Sequence, residues 1–157
     1  MKHHAIKILA ATVVLSLLTS AGRAQENQRD EFERKVDLVN EKGRKKDMLP
    51  VALKTVSIET GVPLDRVETM YRRHPKPGPA GILTACVLAA ETKVEPEQFL
   101  ENRTKGKGWV AQAREHNVPV SKINDRLDHM LRFLDDPNKV EKAKREARKD
   151  KKQNRDS

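Results

Sequence analysis

The sequence predicts an all-α fold. It reads as a compact array of about six short helices with helix-turn-helix-like corners, an N-terminal helix before it and a basic C-terminal tail after it. Three observations carry that prediction. Apolar residues recur at spacings of three and four, as in Ile123, Leu127, Met130, Leu131 and Leu134, which gathers them on one side of a helix. No stretch alternates apolar and polar residues over a useful length, so no strand is expected. Prolines and glycines punctuate the chain at helix-length intervals, where a fixed φ or a permissive backbone suits turns and helix ends.

The first 24 residues read as a secretory signal peptide. Lys2 and Lys7 give a positive start, Ile8 to Leu18 is an apolar run, and Gly22-Arg23-Ala24 places small residues at the −3 and −1 positions before Gln25. The run is shorter than the ~20 residues that span a bilayer. Export to the periplasm or beyond is therefore expected, with no transmembrane span in the mature chain Gln25–Ser157. That address argues against a cytoplasmic DNA-binding protein, the easiest function for a basic helical chain.

The mature chain divides on composition into three parts. Residues 25–47 form an N-terminal helix and connector, with Phe32, Val36 and Val39 at helical spacing and Gly43 suited to a stop. Residues 48–137 form the helical domain. Residues 138–157 form a basic tail, disordered or partly helical. Within the domain, Pro50 opens a helix to about Glu59 that Gly61 ends, and Pro63 precedes a helix carrying Val67, Met70 and Tyr71. Pro75-Lys76-Pro77-Gly78-Pro79 is a break. Further helices are expected over roughly Ala80–Thr92, from Pro96 through Phe99 and Leu100, and over Trp109–His116. Ser121 is placed to cap a last core helix that Pro137 ends.

The net charge of +9 is unevenly distributed. The first 24 residues hold three cations and no acid, leaving +6 on the mature chain. Residues 138–157 hold nine Lys or Arg and four Asp or Glu, a net +5, so residues 25–137 carry only +1. Cys86 is the single cysteine, so no internal disulfide is possible. It sits in the apolar run Ile82–Ala90, where a small buried hydrophobe is expected.

Three segments repeat a pattern of Glu, tight turn, Val, and an apolar residue five positions after the Val. They run Glu59 to Val67, Glu91 to Phe99 and Glu115 to Ile123, with turn valines Val62, Val94 and Val118. Each reads as a helix-turn-helix corner with an inward Val. The pattern resembles the corner of DNA-binding helix-turn-helix domains. Separately, Lys105 to Val118 resembles a segment of small exported bacterial helical proteins of uncharacterised function, in which Gly-x-Gly-Trp-Gly is followed by an Ile-Ala pair and a turn ending in Val. Gly106, Gly108, Trp109, Ala113 and Val118 match, while Val110 stands for the third glycine and Gln112 for the Ile. That resemblance implies a helical fold and an exported compartment, and no activity.

No catalytic, cofactor or metal site is expected. His74, His116 and His129 are scattered, with no zinc spacing, and no Gly-x-Ser-x-Gly elbow is present. The helices after Pro63 and Val120 mix charges, with Asp65, Arg66, Glu68, Arg72 and Arg73 on one and Lys122, Asn124, Asp125, Arg126 and Asp128 on the other. Their acids would repel phosphates. Two cationic features remain. Lys142, Lys144, Arg145, Arg148, Lys149, Lys151 and Lys152 in the tail could attract a polyanion: anionic lipid, envelope polymer or extracellular nucleic acid. Lys105, Gly106, Lys107 and Gly108 form a loop whose backbone N–H groups could cradle an anion. The expected function is a non-catalytic structural or protein-interaction module of the bacterial envelope, with Phe32, Val36 and Val39 as partner contacts if the first helix is undocked. The alternatives are polyanion binding through the tail, or cytoplasmic DNA binding if the N-terminus is not an export signal.

Overall fold

The computed structural model describes residues 26–153 of the chain, with side chains to Glu146. The expected signal peptide, residues 1–24, lies outside the described residues. Those described form eight helices and no strand: α1 (26–43), α2 (Leu49–Thr60), α3 (Leu64–Arg73), α4 (Gly78–Thr92), α5 (Pro96–Thr104), α6 (Trp109–Glu115), α7 (Val120–Asp135) and α8 (Pro137–Gln153). The chain divides into two units after Glu33. Of the first, residues 26–33 are helical and Phe32 is fully buried. The second begins at Arg34 and holds the rest.

Helices α2, α4 and α7 contact one another and form the centre of the second unit. α4 is apolar nearly all round, which suits a helix surrounded by others. Its Ile82, Leu83, Ala85 and Leu88 are buried together with Thr84, whose Oγ1 donates to the Ala80 carbonyl at 2.8 Å. α7 is amphipathic and buries Ile123, Leu127, Met130 and Leu134. α3 packs on α2 and α4, α5 on α4, and α6 on α7.

All three repeats are helix-turn-helix corners: α2–α3, α4–α5 and α6–α7. The residue before each turn Val is left-handed, at φ 71° for Gly61, 61° for Lys93 and 56° for Asn117. Val67, Phe99 and Ile123, five residues after the turn valines, are all buried. Val118 is buried, whereas Val62 and Val94 are only half-buried. The core-filling residue of each corner is thus the later one.

Several expectations need correction. Ser121 does not cap α7, which begins at Val120 with Pro119 before it and no side-chain cap. Asp136, not Pro137, separates α7 from α8. Its Oδ1 accepts the N–H groups of Asn138 at 3.0 Å and Lys139 at 3.2 Å, so it caps α8 and Pro137 takes the first helical position, where a missing N–H costs nothing. The stripe of Phe32, Val36 and Val39 is not available to a partner, because all three side chains are buried.

The core also extends past both ends of 48–137. Lys35 of α1 pairs with Asp128 of α7 at 2.8 Å, and Lys42 with Asp135. A Cβ on Gly43 would meet Ala52 at 3.0 Å and Pro79 at 3.3 Å, so α1 lies close to both α2 and α4. Beyond Pro137, α8 packs on α2 and α7 and buries Val140 and Ala143. Two small apolar residues suffice because they meet an existing hydrophobic surface.

Candidate polyanion-binding face

The docking of α8 decides which of its cations face solvent. Lys144 lies beside the docked residues. Its Nζ sits 3.1 Å from Asp47 Oδ2 and 3.8 Å from Glu141 Oε1. The hydrogen bond from Lys144 holds the Asp47 carboxyl below its ordinary pKa. Lys144 therefore ties α8 to the segment before α2 and is not free for a ligand.

Lys142 follows Val140 by two residues, and Arg145 follows Ala143 by two. Two residues turn a helix through about 200°, which sets this pair opposite the docked face. Both are exposed, and neither makes an ion pair or side-chain hydrogen bond among the described residues. Lys139 is also exposed but lies 3.7 Å from Asp136, which offsets part of its charge. The helix continues to Gln153, so Lys149 and Lys152 come after Lys142 at +7 and +10, in register with the same row. Arg148 and Lys151 each stand one position earlier. The side chains of these four lie outside the described residues.

The loop 105–108 does not offer the expected cradle. The N–H groups of Lys105, Gly106 and Lys107 donate to the carbonyls of Glu101, Arg103 and Asn102 at 3.0, 3.0 and 2.9 Å. They close the end of α5, with Gly106 at φ 94° making the turn. Lys107 pairs with Glu115, whose carboxyl is held below its ordinary pKa by that bond. The loop is anchored by Trp109, which is almost fully buried with the Arg103 guanidinium 5.6 Å from its ring centroid.

Three cations of the helix-turn-helix corners are also engaged. Arg66 reaches Glu95 at 2.6 Å, Lys122 reaches Glu91 at 2.7 Å, and Arg126 reaches Glu59 at 3.1 Å. These pairs bind the second helix of a corner to neighbouring elements. The histidines stay apart: His116 meets the Phe99 ring edge-on at 5.2 Å, and His129 Nδ1 lies 3.5 Å from Glu59. Among the described residues no three His, Cys, Asp or Glu side chains could hold a metal, and no helix is long and apolar enough to cross a membrane. Cys86 is buried, and burial pushes its thiol up to about 12. No family model, curated protein or solved structure matches the chain.

Proposed function

We propose that the protein is a non-catalytic interaction module exported to the bacterial envelope, and that it holds a polyanion on the solvent face of α8. The observation that carries this reading is the split among the α8 cations. Lys144 is consumed in docking, while Lys142 and Arg145 stand exposed on the opposite side. A helix held to a nearly neutral body by one face presents Lys142 and Arg145 on the other.

The chemistry is electrostatic. The row contains no apolar or aromatic residue, so neither membrane insertion nor base stacking is part of the contact. Each Lys or Arg contributes about 1 kcal/mol near an anionic surface. Lys142 and Arg145 thus supply about 2 kcal/mol, a weak contact that depends on salt and on repeated charge in the ligand. A helix-face protein contact has less support. Leu38 and Ile58 are the large apolar side chains exposed among the described residues, and isolated exposed apolar residues are ordinary.

Binding to heparin and to anionic liposomes, compared with neutral dextran and zwitterionic liposomes, tests the reading. The wild type is expected to bind the anionic ligands and Lys142→Glu/Arg145→Glu to lose that binding while melting normally. Equal binding by both proteins would refute it.

A further inference from the structure

A cleft of about 540 Å³ opens between α1, the turn 75–79 and the junction of α5 with α6. Its size lies within the usual range for small-ligand sites. The walls are held rigidly. Asn40, at the back of the cleft, donates from Nδ2 to the Pro77 carbonyl and accepts the Ala80 N–H on Oδ1, both at 3.0 Å. Arg44 donates to the carbonyl of Lys76. On the far side Arg103 lies over the buried ring of Trp109.

Charges of both signs line this cleft. Asp37 and Glu41 stand four residues apart on α1 and both line it. Like charges at that helical spacing repel, yet neither carboxylate makes an ion pair among the described residues. Arg44 and Lys76 line the same cleft, and the Lys76 ammonium likewise makes no ion pair among the described residues. Asp37, Glu41 and Lys76 thus share one concavity with no ion pair among them. A ligand carrying both signs would answer both.

We propose that this cleft binds a short zwitterionic peptide, with an ammonium group against Asp37 and Glu41 and a carboxylate against Arg44 and Lys76. The inference is independent of the α8 face, which shares none of these residues. Trp109 is the only tryptophan of the chain and lines the cleft, so its emission reports occupancy directly. The full-length mature protein is titrated with the tetrapeptide Ala-Glu-Lys-Ala, with free termini, and with a blocked Ala-Gln-Gln-Ala control. The free peptide is expected to give a saturable emission change that the control does not. Asp37→Asn/Glu41→Gln and Lys76→Gln are each expected to weaken binding about tenfold or more, whereas Lys142→Gln/Arg145→Gln leaves it unchanged. Asp37, Glu41 and Lys76 are all exposed, so the variants are expected to keep the wild-type melting profile. No saturable change, an equal response to the blocked control, or unaltered affinity in the cleft variants would overturn the proposal.

Discussion

The backbone of Gly78 lies so close to the side chain of Asn40 that a Cβ on Gly78 would sit 2.2 Å from Asn40 Oδ1. Gly78 is also left-handed, at φ 72°, so both space and backbone geometry call for glycine. This contact joins α1 to the start of α4 across 38 residues of chain. Asn40→Ala leaves the Ala80 N–H without a partner and the Pro77 carbonyl with the Gly81 N–H alone, and is expected to cost about 1–3 kcal/mol. Gly78→Ala is expected to cost at least as much, since strain and clash act together. Urea unfolding measures both, and a loss under about 1 kcal/mol for either would contradict the interlock.

The left-handed residues of the three corners are chemically unequal. Gly61 adopts φ 71° without strain, and open space surrounds its Cα. Lys93 carries a side chain at φ 61°, and Asn117 at φ 56°. Lys93→Gly is expected to raise stability by about 0.5 kcal/mol, the relief of strain outweighing the added freedom of the unfolded chain. Asn117→Gly is expected to gain less, because Asn tolerates this region. Gly61→Ala is expected to lose about 1 kcal/mol. Thermal melts of the three variants check the order.

Asp47 and Lys144 make the docking of α8 sensitive to acid. The folded-state pKa of Asp47 is lowered, chiefly by its hydrogen bond to Lys144. A depressed carboxyl stabilises the fold fully above its unfolded-state pKa, about 3.9, and that contribution vanishes as pH falls through the lower folded-state value. Amide protection factors in the first half of α8 are therefore expected to fall below about pH 4, and Asp47→Asn to show lower protection at neutral pH without the acid step. The pair is solvent-exposed and worth little in absolute terms, so the effect is local loosening rather than global unfolding.

Cys86 is expected to resist thiol reagents in the folded protein. Its pKa near 12 reflects burial, so almost no thiolate forms at pH 8. Labelling should proceed at the rate of opening and become fast in denaturant. Immediate labelling under native conditions would place the thiol at the surface.

The corners are legible in sequence because their information is local. A helix end, a turn and an apolar residue five positions after the Val place Val67, Phe99 and Ile123 in the core. The fate of the termini is not legible. Val140 and Ala143 look too sparse to dock a helix until α2 and α7 supply the surface beneath them. Lys35 with Asp128 and Lys144 with Asp47 pair across 93 and 97 residues, and no short-range pattern announces them. The same limit governs the candidate sites. The seven candidate cations of the tail read alike in sequence, and only the docked face separates Lys144 from Lys142 and Arg145. The loop 105–108 reads as open to an anion because no residue pattern shows that the N–H groups of Lys105, Gly106 and Lys107 are taken by α5 carbonyls.

Under the proposed function, exposed cations on α8 hold a polyanion, and net charge alone does not. Two variants with the same loss of two charges test it most directly: Lys142→Gln/Arg145→Gln on α8 and Lys105→Gln/Lys107→Gln in the loop. Heparin affinity is measured for both across a salt series. The α8 pair is expected to weaken binding about tenfold or more and to flatten the salt dependence by about two counterions, while the loop pair behaves as wild type. Equal weakening by both pairs, or none by either, would contradict it.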